Sequence, residues 1–424
     1  MEKAVYWQAK HLAARGVEVT LVTRPAERGA PGADAFPGRV VPVPYRAWPA
    51  GRHGRVLDRS LNYPSFAAAV GHVVAAEVRQ GRVELVDAQG LSALGYGRLR
   101  HAEPALRAPL VMNPQGMEEH RTRGLKRLAL ARLRALSREA ARLADRVVAT
   151  DEATREDVPR LLGVDPAKVA VLPNGIDLEE VRSLTPADPT RAVLEQPSRE
   201  SAARLADAFP VFLSVGRLEG YKGFSDVLEA LLRLAAAGTL GPRWAWVVVG
   251  EGPQRRALHA RARRVSSPVE AAPAPHSAIA LAELVRQAIE ERVLGAAAHL
   301  CFPGRVSEPL LHALYERADV FVHATRGEGS SLVTLEAMAH GLPVVATRAG
   351  GIPDKVVDGA TGRLVPSGDV AGLAAALAEL AQDAGQRRAW GEAGRARVAE
   401  RFAWPALVEG TLRLYEALLR EARA

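Results

Sequence analysis

Two carboxylates, Glu328 and Glu336, offer the clearest start for chemistry. Seven residues separate them in Val320-Phe-Val-His-Ala-Thr-Arg-Gly-Glu328-Gly-Ser-Ser-Leu-Val-Thr-Leu-Glu336. Val320 to Val322 read as the end of a buried strand, and Gly327 and Gly329 make the next segment a loop around Glu328. Ser330 or Ser331 is placed to cap a helix that runs to His340, with Gly341 at the left-handed stop and Pro343 beyond it. Glu328 then stands on a loop and Glu336 about one turn into the helix. The open N–H groups of Ser331, Leu332 and Val333 point back to that loop. A helix start of this kind holds phosphate, through its free N–H groups and the positive end of its dipole. The bland reading of the same residues is one loop charge and one helix-surface charge, so the rest of the chain must decide.

Other strand-end loops carry suitable groups. The apolar run Val211 to Val215 ends at Gly216, and Arg217 and Lys222 follow in the loop. Arginine offers a planar fork and lysine a point charge, both suited to a diphosphate. Arg305 and Val306 follow a strand and turn from Leu300 to Gly304. In the first half, Gln89 follows the strand Val83 to Asp87, and Gln115 and Gly116 follow the strand Pro109 to Met112. Open α/β sheets hold ligands at such strand ends. The 11 histidines show no metal-ligand spacing, and His323 and His340 read as packing residues. No G-x-S-x-G turn and no GxxxxGK[ST] loop occurs, and Gly250-Glu-Gly252 is not the glycine pattern of a dinucleotide site.

Taken together, these segments resemble the family-four (group 1) retaining glycosyltransferases. The resemblance rests on Glu328, seven residues, Glu336, then Ala337-Met338-Ala339, Gly341 and Pro343-Val344-Val345. It rests also on Gly216-Arg217 with Lys222-Gly223, and on Pro173-Asn174-Gly175-Ile176-Asp177. It implies the α/β GT-B fold: two Rossmann-like doubly wound domains facing a cleft, with a C-terminal helix crossing back to the first. The implied activity moves a sugar from a nucleotide-diphosphate donor to a sugar, lipid or small-molecule acceptor. Gly216, Arg217, Lys222 and the helix start from Gly329 through Ser330, Ser331 and Leu332 to Val333 would hold the diphosphate. Backbone at Arg305 and Val306 would meet the base, Glu328 would orient the sugar, and Glu336 would bind the ribose. Gln89, Gln115 and Gly116 would lie on the acceptor side. Gln115 stands where the family has a histidine; it can donate a hydrogen bond but cannot take a proton. No acidic pair calls for a metal, so no divalent-ion requirement is expected, and no cofactor beyond the nucleotide-sugar co-substrate. Same-fold alternatives are a sugar-nucleotide epimerase, a phosphorylase, or an impaired member that binds a nucleotide or a partner.

The supporting elements come from length and pattern. A chain of 424 residues exceeds one ordinary core. Composition divides it into 1–184, a polar proline-containing linker at 185–208, 209–400, and a final helix at 401–424. Glu2 to Arg15 reads as a helix and Val17 to Thr23 as a strand. A doubly wound domain places a strand and a glycine-rich turn ahead of such a helix. The resemblance implies a Gly-Gly pair in that turn, so the expectation is that a strand and a Gly-Gly loop lie upstream of Met1; the alternative is a divergent member that does without them. Residues 264–280, rich in Ser, Pro and Ala, read as an inserted loop.

Cys301 is the single cysteine, and no apolar run spans a bilayer or forms a signal peptide, which suits a cytoplasmic protein. Net charge is +8. Arg121 to Leu143 reads as one basic helix with Leu125, Leu128, Leu136 and Leu143 along a stripe. It is read as a core helix with an arginine-rich face; the alternative is peripheral contact with an anionic membrane. Nucleic-acid binding is not expected, because no aromatic stacking set accompanies the arginines.

Overall fold

A computed structural model describes residues 2–25, 36–45, 58–114, 117, 119, 120, 122, 124–189, 205, 207–241, 243–263, 292–294 and 298–424. The chain divides into two compact units: Met1–Gly175 together with Trp404–Ala424, and Ile176–Ala403. The boundary lies ahead of residue 184 because helix Leu178–Leu184 belongs to the second unit. Asp177 caps that helix by accepting from Glu180 N, and Ile176 N donates to Phe402 O.

The first unit contains β1 (Thr20–Thr23) and β2 (Arg39–Pro42), a parallel pair forming a sheet of their own. β3 (Val86–Gln89), β4 (Leu110–Asn113), β5 (Arg146–Ala149) and β6 (Val169–Val171) form a second parallel sheet in that order. Helices Tyr63–Arg79, Ala93–Ala102 and Ala131–Leu143 supply Ala67, Leu94, Tyr96 and Leu133 to a core that also takes Leu110, Met112 and Val147 from the strands. Helix Trp404–Arg423 contributes Leu418 to a smaller cluster with Val111 and Val148. Its Glu409 and Glu421 pair with Arg15 and Arg146, and its Tyr415 hydroxyl donates to Asp87.

Two expectations are corrected in this unit. Gln89 is the last residue of β3, paired with Asn113, rather than part of the loop beyond it. The basic segment is two helices, Leu125–Ala129 and Ala131–Leu143, broken at Leu130. Leu130 and Leu133 are buried while Leu128 is 74% exposed, so the apolar stripe changes register at the break. A single continuous helix would have kept Leu128 on the stripe.

The second unit holds β7 (Val211–Val215), β8 (Ala245–Val249), β9 (Arg292–Leu294), β10 (Ala298–Gly304), β11 (Val320–His323), β12 (Val344–Thr347) and β13 (Gly362–Val365). Their order across the sheet is β13-β12-β11-β7-β8-β10-β9, parallel except for β9. Neighbouring residues of a strand enter cores on opposite faces. Phe212, Trp246, Val320 and Val322 join one, and Leu213, Val247, Phe321 and Val344 the other. Burial on both faces explains why these strands read as continuous apolar runs.

From β7 the chain builds outward to β8 and β10 on one side, and later returns to lay β11, β12 and β13 on the other. The switch point therefore lies between β7 and β11. Ser214 ties the strands there: its hydroxyl donates to Val322 O at 2.8 Å and accepts from Trp246 Nε1 at 3.0 Å. Ser214→Ala leaves the buried indole N–H unpaired, so chemical denaturation should show a loss of about 1–3 kcal/mol. An unchanged midpoint would mean that the indole finds another acceptor.

Candidate functional site

Helices Phe224–Ala236 and Leu332–Ala339, which follow β7 and β11, pack into cores on opposite faces of the sheet, and open α/β sheets bind ligands at the carboxyl ends of strands at such a switch point. The β7 loop carries Gly216, Arg217 and the short turn Gly220–Lys222. It is pressed against the β11 loop at Gly223, where an added Cβ would lie 1.8 Å from Ala324 O. Gly223 also has φ +71°, so glycine is required twice over. Tyr221 O accepts from Arg326 N at 2.6 Å and from Thr325 Oγ1 at 3.2 Å. These backbone contacts bring Lys222 to Glu328: Nζ donates to Oε2 at 2.5 Å, with the two side chains 13% and 15% exposed.

The same Glu328 oxygen is 3.0 Å from His323 Nε2, whose side chain is 4% exposed. Burial alone would push the Glu328 carboxyl up. The hydrogen bond and charge of His323, and then Lys222, outweigh it and hold the carboxyl at about 2. A folded-state value below the usual carboxylate range favours the native state above pH about 4.5, and that gain is lost as pH falls through about 2. The stability advantage of wild type over Glu328→Gln should therefore be full at neutral pH and shrink between pH about 4.5 and 2. Urea titrations across that range check it, and a pH-independent difference would contradict the assignment.

Helix Leu332–Ala339 starts immediately after this loop. Ser331 takes the N-cap position, but its hydroxyl is 2.8 Å from Thr334 Oγ1 and caps no backbone N–H. The expected serine cap is thus replaced by a buried hydroxyl pair, which leaves the first turn without a side-chain acceptor. Ser330 Oγ is buried with no hydrogen-bond partner among the described residues. A helix start without a side-chain cap, next to an unsatisfied hydroxyl, is suited to an anionic ligand. Gly341 has φ +75° and stops the helix as the sequence indicates.

Glu336, on that helix, accepts from the Tyr315 hydroxyl at 3.0 Å. The Tyr315 ring stacks on His340 at 5.3 Å and 10°. His340 in turn meets His312 Nδ1 at 2.8 Å and Glu316 Oε1 at 2.6 Å. Neither His323 nor His340 is simply a packing residue: both are buried and each is held to a carboxylate, as a buried imidazole requires. Arg217 is exposed and donates to the Tyr221 hydroxyl at 3.1 Å. Arg305 is exposed, and Val306 packs against one of the cores.

The second unit thus brings Gly216, Arg217, Lys222, Glu328 and the 329–333 helix start to adjoining strand ends, with Arg305 and Val306 after β10. Gln89 belongs to the first unit, and Gln115 and Gly116 lie outside the described residues. Sequence reading missed His323, Tyr221 and Tyr315. The parity of His323 with Phe321 on β11 was legible, but its contact with Glu328 depends on the loop folding back. The site combines an ionised carboxylate, a paired cation and a helix start, and can recognise a ligand with both hydroxyl and phosphate groups.

Residues 1–180 match the model of Glycosyltransferase Family 4, and residues 281–383 match that of Glycosyl transferases group 1. A D-inositol 3-phosphate glycosyltransferase of Thermomonospora curvata is 30% identical over 427 residues, covering 96% of this chain and 88% of that protein. Proteins of the same name from Catenulispora acidiphila and Kineococcus radiotolerans are 32% and 35% identical over 66% of this chain. The chain spans only 58% and 59% of their respective lengths. A sucrose-phosphate synthase from Thermosynechococcus elongatus superposes with a TM-score of 0.68 at 24% identity, covering 98% of this chain and 93% of that one. Anabaena HepE, solved in complex with UDP-glucose, gives 0.67 at 19% identity over 98% and 95%. The fold is that of the α/β GT-B proteins. No helix among the described residues is long and apolar enough to cross a membrane. By its motifs, its fold and its relatives, the chain belongs to the group 1, family-four glycosyltransferases.

Proposed function

We propose that the protein transfers a glycosyl group from a nucleotide-diphosphate sugar to an acceptor, with retention at the anomeric carbon and without a divalent cation. The observation that carries this reading is the Lys222–Glu328 pair at the switch point, beside a helix start that leaves Ser330 Oγ unsatisfied. Lys222, Arg217 and the helix start stabilise charge developing on the leaving diphosphate, where preorganised donors act most strongly. Glu328 orients the sugar through its hydroxyls, Glu336 takes the ribose, and backbone at Arg305 and Val306 meets the base. Gln89, Gln115 and Gly116 serve the acceptor side. The acceptor is a sugar, a lipid or a small molecule; the exposed Leu128 beside Arg127 supports contact with an anionic membrane surface.

Isothermal titration with UDP, GDP and ADP tests the donor site, and turnover with the matching nucleotide sugar tests the reaction. One nucleotide should bind, the product should keep the donor's anomeric configuration by NMR, and activity should persist in excess chelator. Loss of activity in chelator would remove metal independence, and an inverted product would remove retention. Isomerisation of the donor without acceptor would make the protein an epimerase instead.

A further inference from the structure

We infer that His323 is a positioning residue for Glu328: it fixes the carboxylate so that one oxygen stays tied to protein while the other faces substrate. This rests on the functional reading above and deepens it. The geometry is specific. Lys222 Nζ and His323 Nε2 both contact Oε2 of Glu328, and among the described residues no hydrogen bond or ion pair is made to Oε1. A carboxylate held ionised only accepts, so the imidazole carries its proton on Nε2 and donates it to Oε2.

Two donors on one oxygen set the plane of the carboxylate and leave its second oxygen, without a hydrogen bond among the described residues, as a spare acceptor. That oxygen is the one available to sugar hydroxyls. Lys222 and His323 differ in what a ligand does to them. The lysine has a long side chain on a loop and is the cation that an incoming diphosphate attracts. The imidazole sits on β11, buried and short, with Phe321 beside it on the same strand. When Lys222 shares its three N–H donors with an incoming phosphate, His323 still donates to Oε2, and the orientation of Glu328 survives binding. The arrangement separates two tasks: the lysine answers the ligand's charge, and the histidine keeps the acceptor aimed.

His323→Gln keeps an N–H donor at about the reach of Nε2, whereas His323→Leu removes it in a similar volume. Nucleotide affinity by titration should stay within about twofold of wild type in both variants, because neither removes a phosphate contact. Turnover should fall about 10- to 100-fold in His323→Leu, the scale of a modest misplacement of a catalytic group, and recover most of that loss in His323→Gln. Equal turnover in wild type and folded His323→Leu would overturn the inference, as would a glutamine variant no better than the leucine one.

A second measurement needs no turnover and so separates this inference from the functional reading. In protein labelled with 15N-histidine, His323 should show a proton on Nε2, with a resonance displaced by Glu328→Gln. If that resonance ignores Glu328→Gln, the contact is absent and the inference fails, even in an active enzyme. If it responds while no nucleotide sugar is turned over, the positioning contact stands and the proposed reaction is what fails.

Discussion

Lys222→Ala is expected to weaken nucleotide binding by about 1–3 kcal/mol, the scale of a lost charged hydrogen bond, and to lower turnover by about 10²–10³-fold. The larger effect on turnover arises from where the charge sits. A cation held before the ligand arrives costs little reorganisation when negative charge grows on the leaving group, so it acts more on the transition state than on the ground state. Glu328 holds Lys222 in that position at 2.5 Å. Removing the lysine also strips Glu328 of one of the two groups that keep its carboxyl near 2, so its pKa should rise. Unfolding stability should fall, but by less than the ~3–5 kcal/mol of breaking a fully buried pair, since both side chains keep some exposure and His323 remains. Lys222→Arg retains charge with a planar fork and should fall between the two. Titration calorimetry and initial rates on the three proteins decide it; an unchanged nucleotide affinity in Lys222→Ala would place the diphosphate elsewhere.

Gly350→Ala should lower turnover about 100-fold while changing nucleotide affinity much less. Gly350 follows β12 and has φ +51°, a conformation that costs an alanine about 1–2 kcal/mol by itself. Its added Cβ would lie 1.8 Å from Glu328 O and 2.7 Å from Glu328 C. Backbone cannot yield as the tip of a flexible side chain can, so the Glu328 loop must shift. A displacement near 1 Å at a group that orients the reacting sugar is enough for a loss of that size. Arg217 stands on the β7 loop and makes no contact with Glu328, so part of the diphosphate contact remains and affinity falls less than turnover. The control is Gly327→Ala: that glycine has no positive φ and a Cβ there meets nothing within 4 Å, so it should be close to neutral. If both variants behave like wild type, the Gly350 backbone is not what supports Glu328.

The contrast between these glycines marks the reach of local sequence pattern. From the sequence, Gly327 and Gly329 look decisive because they flank Glu328, yet both have open space around them. The glycine that touches Glu328 backbone comes from the next strand-end loop, 22 positions on, and no local pattern announces it. The basic helix failed for a related reason. Its leucine spacing suited one helix, but the core takes Leu130 and Leu133 and leaves Leu128 outside. Periodicity gives the chance of burial, and tertiary packing selects which stripe is used.

What the sequence determined by itself was the chemistry and its local setting. The apolar runs ending in Gly216, Gly250 and Gly304 mark parallel strands buried on both faces, because only such strands dispense with polar alternation. The Glu328 to Glu336 spacing and the stop at Gly341 set a loop followed by a short helix. What only the tertiary structure decided was partnership. Lys222 and Glu328 are 106 positions apart and meet because β7 and β11 are neighbours at the switch point. Glu336 finds Tyr315, and His340 finds His312 and Glu316, across two packed helices. Sequence spacing sets which face a residue occupies; sheet order and loop closure set what it faces.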